Sequence, residues 1–156
     1  MDCRAQGVDA GPDVFQCSGP VTLTATTTGV TSSNNYSVAQ LASFEPENIG
    51  GTMVSLSDDA VSGSLPIGFS FCFLNNTYTN FYIGSNGWVS FSAGQPTNYV
   101  AASLPSSAGG VPKNCIMAPW QDWHPGIAGG PYISYQTIGT APNRKLVVTW
   151  NQVPMF

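Results

Sequence analysis

The chain has 156 residues, about the length of one domain that can bury a sizeable core. Charged residues make up only 8% of it, against about 25% in a typical soluble domain, and the formal net charge is −4. Four basic residues are too few for a nucleic-acid surface or for a polybasic contact with an anionic membrane. The sequence also lacks the roughly 20 continuous apolar residues of a membrane-spanning helix, so membrane insertion is not expected.

Apolar and polar residues alternate with a period of two along the chain, which is typical of β-strands. The first example is segment 21–27, in which apolar residues alternate with threonines. In segment 67–74, Ile67 and three phenylalanines share one face and Cys72 lies on the other. We therefore predict a middle strand of a two-sheet stack there, with both faces covered. Further strands are predicted at FYIG (81–84), GWVSFS (87–92), YISYQT (132–137) and KLVVTW (145–150).

Turn-forming residues separate these segments. Ser85-Asn86-Gly87 is typical of a tight hairpin, because Asn and Gly tolerate a positive φ. Further turns are predicted at 124–126, 129–130 and 141–143. Because the chain contains 17 Gly and 12 Pro, long helices are not expected. The predicted fold class is all-β, an antiparallel β-sandwich with jelly-roll or immunoglobulin-like layering.

Three regions are predicted along the chain. Residues 1–30 form an N-terminal segment with an immunoglobulin-like leading strand, residues 31–49 a connector, and residues 50–156 the β-sandwich. The last twelve residues, KLVVTWNQVPMF, end in a strand or just beyond it. A sandwich that stops there leaves a sheet edge open, so we expect the sandwich to be C-terminally incomplete and the chain to be a fragment of a longer polypeptide.

The four cysteines are an even number, which is typical of disulfides in an exported protein. Three connectivities are possible. We expect Cys3–Cys17 and Cys72–Cys115, because the first two cysteines share a short N-terminal segment. Buried free thiols are the alternative. A zinc site is not expected, since no two cysteines have ligand spacing and the chain has one histidine.

Segment 114–130 contains Cys115, Asp122 and His124, the residue types of a cysteine hydrolase. The surroundings argue against that chemistry. Pro125 restricts the backbone of His124, and Cys115 precedes an apolar run that indicates burial or a disulfide rather than an electropositive pocket. We therefore predict no catalytic residue and no enzyme activity.

The same segment holds the best candidates for ligand contact. Trp88 and Trp150 lie in predicted strands and are expected to pack inside, whereas Trp120 and Trp123 lie where a loop can expose them. With Asp122 and His124 they form a candidate contact surface for a glycan or a protein. The alternatives are structural. The indoles can cap the open end of the sandwich, and Asp122 can accept hydrogen bonds from backbone N–H groups of the following loop.

Asp58, Asp59 and Asp122 offer oxygen ligands of the kind that Ca²⁺ prefers. The segment around Asp58 and Asp59 has neither the spacing nor the carboxylate count of an EF-hand loop. A turn held by local side-chain hydrogen bonds is the commoner use of such a pair. No other metal or cofactor is expected.

Several strings in the chain are similar to known families. Residues 54–92 and 142–154 (PNRKLVVTWNQVP) resemble the N-terminal β-domain of giant surface adhesins of Bacteroidota that the type IX system exports. Residues 8–26 resemble the leading strand of the immunoglobulin-like modules in those proteins. A more distant similarity, to nidogen-like domains, rests on the strings GSNGW, APWQDW and VVTWNQVPMF.

The first resemblance implies a non-catalytic adhesive or structural module on the bacterial cell surface, as in gliding motility. Its partners would be other domains of the same giant polypeptide, type IX secretion and outer-membrane components, and a glycan or protein ligand. Two other functions remain open: a self-assembling extracellular fibre subunit, and a carbohydrate-binding accessory module of a secreted hydrolase.

Overall fold

The computed structural model describes residues 7–9, 26–28, 39–40, 42–43, 47, 50–74, 76–118, 120–130 and 132–156. Within these ranges the chain forms nine strands and no helix. The strands are β1 (Gly7–Asp9), β2 (Thr26–Thr28), β3 (Thr52–Val54), β4 (Leu65–Phe73), β5 (Asn76–Gly84), β6 (Trp88–Ser90), β7 (Cys115–Met117), β8 (Ile133–Ile138) and β9 (Lys145–Trp150).

The strands pair in antiparallel sheets. β1 pairs with β2, a second sheet has the order β3-β8-β9, and a third has the order β4-β5-β6-β7. The last two sheets face each other. The rings of Phe81 on β5 and Tyr135 on β8 meet edge to face with centroids 5.3 Å apart. The predicted all-β class is therefore confirmed, with two antiparallel sheets stacked as a β-sandwich.

The core lies between these two sheets and follows from the period-two patterning of the strands. Ile67 on β4, Phe81 and Ile83 on β5, and Ile133 on β8 are fully buried. Aromatic side chains, among them Phe91, fill one end of the core. Every second residue of a strand faces the same side, so each strand contributes its apolar face to one shared core.

β4 is placed differently from the prediction. Its phenylalanine face does point inward, and those rings pack against the core. However, β4 is the end strand of its sheet rather than a middle strand, and Gly68 and Ser70 on its other face are exposed. The expectation that both faces are covered is therefore wrong for this part of the strand. Alternation alone shows that one face is buried, but it does not locate a strand within its sheet.

A bulge in β4 links the two sheets. The pairing register with β5 shifts between Pro66 and Phe71, and Gly68 adopts a φ of +83°. The backbone carbonyl of Ile67 accepts a hydrogen bond from the Thr137 hydroxyl on β8, across the sandwich. The next carbonyl, that of Gly68, accepts one from the guanidinium of Arg144. The carbonyls of the bulge are thus satisfied by the opposite sheet.

The β5–β6 connection is the predicted tight hairpin. Gly84 pairs with Trp88, and the three residues between them form the turn. Gly87 takes the positive φ, +81°, and its N–H donates to the carbonyl of Gly84 at 3.2 Å. The indole of Trp88 covers Gly84 so closely that a Cβ there would collide with the ring. The turn is therefore rigidly held at its base.

The predicted pairing of Cys72 with Cys115 is wrong, because Cys115 carries a free thiol and Cys72 is disulfide-bonded. Cys72 lies on β4 and Cys115 on β7, the two end strands of one sheet. Cys72 therefore bonds to a cysteine other than Cys115. Cys3 and Cys17 lie outside the described residues, as do most of the predicted segment 1–30 and connector 31–49.

Candidate functional site

Five segments from distant parts of the chain meet at one end of the sandwich. We call this the loop end, and it comprises residues 57–60, 85–87, 97–99, 120–126 and 153–156. Hydrogen bonds between these segments, described below, join residues up to 40 positions apart in sequence. The arrangement is therefore a product of the fold and not of any single loop.

The centre of the loop end is Asn86, which is 1% exposed. Its Nδ2 donates to the Asp59 carboxylate at 2.8 Å and to the carbonyl of Thr97 at 3.1 Å. Its Oδ1 accepts from the backbone N–H of Trp123 at 2.9 Å, and its carbonyl accepts from that of Gln121. One buried amide therefore fixes three other segments, and its donors and acceptor are all used.

Asp59 is the second element of this network. It sits in the turn predicted for Asp58-Asp59, with a positive φ of 46°. Its Oδ1 accepts hydrogen bonds from Asn86 and from the backbone N–H of Tyr99, at 3.3 Å. The turn is confirmed, but the Asp59 carboxylate is used for long-range contacts rather than for local ones.

Three carboxylates come together here. One oxygen from each of Asp58, Asp59 and Asp122 lies within 4.8 Å of the other two, and all three residues are partly buried. The Oδ1 atom of Asp58 is inaccessible to water and has no hydrogen-bond partner among the described residues. Hard cations such as Ca²⁺ take six to eight oxygen ligands, to which these residues would contribute a part. Calcium binding at this cluster stays a prediction.

His124 lies beside this cluster, with its Nε2 3.9 Å from the Asp58 carboxylate. Its ring stacks on Phe156 at a centroid distance of 5.8 Å and an angle of 12°. Its backbone N–H donates to the carbonyl of Pro154 at 2.8 Å, and its carbonyl accepts from Ile127. These backbone bonds hold the start of the following loop. From the sequence, we expected the Asp122 side chain to do this by accepting backbone hydrogen bonds.

The tryptophans divide between the core and the loop end. Trp88 is buried and Trp150 packs against the core, as predicted. Trp123 also packs against the core, and its backbone bridges to Met155, so it caps the end of the sandwich. Trp120 is half-buried and meets Tyr99 edge to face, with centroids 5.5 Å apart. Of the two candidate indoles, Trp120 is therefore the better placed to contact a ligand.

Cys115 lies on β7, outside the loop end. Its thiol contacts the carbonyl of Pro112 at 3.5 Å, and it lines a shallow pocket with residues such as Leu104 and Lys113. Burial raises the pKa of the thiol, and the positive charge of Lys113 offsets part of that rise. A thiol in this state is a poor nucleophile at neutral pH. Its contacts in the described part of the chain include neither Asp122 nor His124, so the hydrolase arrangement gains no support.

The sequence did not identify Asn86 as the central residue of the site. Asn86 was recognised only as a hairpin residue, a role that many asparagines fill at the surface. Its full burial depends on segments 97–99 and 120–124 folding over it. One local feature of the sequence points to a further role for Asn86. Gly87 already supplies the positive φ, so the turn itself does not require an asparagine before it.

The described residues thus define the protein as an antiparallel β-sandwich whose loop end is polar and tightly hydrogen-bonded. The family model described as NIDO related matches residues 35–156, and the chain belongs to this family. NIDO-related domains are typically extracellular. No curated protein and no solved structure matches the chain. A helix that is long and apolar enough to cross a membrane is not found among the described residues.

Proposed function

We propose that the chain is a non-catalytic adhesive module of a large secreted surface protein, of the gliding-motility adhesin type found in Bacteroidota. In this proposal the loop end binds a glycan, and the sandwich serves as a rigid support. Membership of a typically extracellular family supports the location, and the sequence resemblance to type IX-exported adhesins supports the particular setting.

The observation that carries the proposal is the Asn86 network. A buried side chain that holds three segments in place produces a surface of fixed shape, and such surfaces lose little entropy on binding. The partly buried rings of Trp120 and Tyr99 meet edge to face, and the backbone N–H of Tyr99 donates to the Asp59 carboxylate. Flat rings beside oxygen acceptors suit the apolar face and the hydroxyl groups of a sugar.

Binding to a glycan array and to insoluble polysaccharides tests the proposal. We expect binding that Trp120→Ala abolishes and that Trp120→Phe largely retains, because phenylalanine keeps an aromatic face. Met53→Ala removes an exposed apolar side chain from β3, away from the loop end, and should bind like the wild type. Circular dichroism and thermal unfolding of each variant separate loss of the site from loss of the fold.

Three results would contradict the proposal of a glycan site. The first is that a folded wild-type protein binds none of the glycans tested. The second is glycan binding that Trp120→Ala leaves unchanged, which would place the contact elsewhere. Capture of a protein ligand through the loop end, with no glycan bound, would also replace the glycan assignment.

A further inference from the structure

The side of the sandwich formed by β9 and β7 is open. These two strands end their respective sheets, and we call the region between them the open side. A cleft of about 360 Å³ lies there between the sheets. Most of its lining side chains are apolar, among them Phe71, Phe91, Ile116, Leu146, Val148 and Trp150, and Arg144 and Lys145 also line it. Ile116 is 45% exposed in it, which is unusual for an isoleucine on the inner side of a sandwich.

The backbone of β9 has a free hydrogen-bonding edge along this cleft. The backbone N–H of Asn151 donates to the carbonyl of Tyr132. Together with the register, this bond shows which residues of β9 point their backbone groups toward β8. In an antiparallel pair, alternate residues point their N–H and C=O groups away from the partner strand. For β9 these residues are Leu146, Val148 and Trp150, and no partner for their backbone groups exists in the part of the chain that the structure describes.

Between Leu146 and Asn151 this edge carries none of the usual protection against pairing, and the charged residue of β9, Lys145, stands at the start of the strand. From Leu146 to Asn151 there is no proline, no charged residue and no bulge. Natural sheets block exposed edges with such features, because an unprotected edge accepts another strand. An extended strand would satisfy the free N–H and C=O groups, and its alternate side chains would fill the cleft.

We infer that the occupant is β9 of a second copy of this chain, paired antiparallel across a two-fold axis through Val148. In this register Val148 of one copy lies opposite Val148 of the other, and Leu146 lies opposite Trp150. All the outward-pointing backbone groups of both strands then pair with each other. The inference concerns the open side and does not depend on what the loop end binds.

Charge and shape favour this occupant. Lys145 and Arg144 fall opposite Asn151 and Gln152 of the other copy, so no like charges meet. The two-fold axis is perpendicular to the sheet, so the inner faces of both copies lie on the same side. The two clefts then join into one apolar interior, which covers Ile116 of each copy. The pairing closes on itself, and it therefore predicts a dimer rather than a fibre.

Two double variants on the outer face of β9 test the register. Val147 of one copy lies opposite Thr149 of the other, and neither side chain lines the cleft. Val147→Lys with Thr149→Lys places like charges opposite each other twice per dimer, which destabilises the pair. Val147→Lys with Thr149→Glu places opposite charges at the same two positions and serves as the matched control.

Sedimentation velocity over a wide concentration series measures the result. We expect the wild type and the Lys/Glu variant to reach about twice the 16.4 kDa chain mass, and the Lys/Lys variant to remain a monomer. Hydrogen exchange should show protection of the Leu146, Val148 and Trp150 amides only in the two proteins that dimerise. Circular dichroism confirms that each variant is folded.

Four outcomes would overturn the inference. A wild type that stays monomeric at every concentration rules out the dimer. A dimer that persists in the Lys/Lys variant places the interface elsewhere. Loss of the dimer in both folded variants, or growth into assemblies larger than two chains, rules out this closed register.

Discussion

The loop end and the open side are formed by the same two sheets, but they differ in whether their hydrogen-bonding groups are paired within one copy of the chain. At the loop end, polar groups are buried and bonded to one another around Asn86. At the open side, an apolar cleft lies between the sheets, and the outward-pointing backbone groups of β9 have no partner in the described part of the chain. The loop end is held together by contacts within one copy, whereas in the proposed dimer the open side is completed by β9 of a second copy.

Replacing Asn86 with alanine has the largest expected effect, because it would break the loop end. Asp59, the carbonyl of Thr97 and the N–H of Trp123 would all lose a partner in a partly buried setting. Each such loss costs about 1–3 kcal/mol, so we expect the free energy of unfolding to fall by about 3 kcal/mol or more. Urea denaturation measures the change. Asn98→Ala, at an exposed position nearby, should stay within about 0.5 kcal/mol of the wild type. A small effect of Asn86→Ala would show that the loop end is held by other contacts.

Asp122→Asn has a smaller effect, and it distinguishes a polar turn from a calcium site. Three clustered carboxylates repel one another, so without metal we expect the variant to be more stable than the wild type, by roughly 0.5 kcal/mol. With Ca²⁺ we expect the order to reverse, because the wild type gains the binding free energy. Thermal unfolding in chelator and in Ca²⁺ measures both states. Glu47→Gln removes an acid that pairs with Lys145 elsewhere, and it should not change the response to Ca²⁺. If Ca²⁺ changed the thermal stability of the wild type and of Asp122→Asn equally, calcium binding at the cluster would be excluded and only its role in the turn would remain.

The smallest expected effect is on the alkylation rate of Cys115, which lies on β7 at the border of the open side. Because burial raises the pKa of this thiol, alkylation should be slow at neutral pH and should accelerate as the pH approaches and passes the usual thiol pKa. Lys113→Ala removes the charge that lowers this pKa, so alkylation should become slower still at a given pH. The change should be below about tenfold, since tenfold requires a full pKa unit. Iodoacetamide kinetics followed by mass spectrometry measure the rate, and Lys145→Ala is the control. Fast labelling at pH 7 would contradict the buried thiol.

The sequence predicted the local elements well. Segments 81–84, 132–137 and 145–150 are strands or parts of strands, and residues 85–87 form the predicted hairpin. The alternation of side chains and the φ preference of glycine act over a few residues, so they can be read directly from the sequence. The core positions of Trp88 and Trp150 follow from the same rule.

The long-range arrangement was predicted less well. The placement of β4 as a middle strand and the pairing of Cys72 with Cys115 both depended on strand order, and both were wrong. Strand order is decided by which edges meet in the folded chain, and no period within a segment encodes it. For the same reason the ligand residues proposed for the loop end remain predictions, although the fold brings Asp58, Asp59 and Asp122 together as the sequence suggested.

The sequence by itself determined that this protein is all-β, where most of its strands and turns lie, and which face of each strand is apolar. Those properties depend on the backbone geometry of neighbouring residues. Only the tertiary structure decided that Asn86 is buried at the centre of the loop end, and that β7 and β9 border an open cleft. Both features depend on contacts between residues far apart in the chain, which arise only when the two sheets pack together.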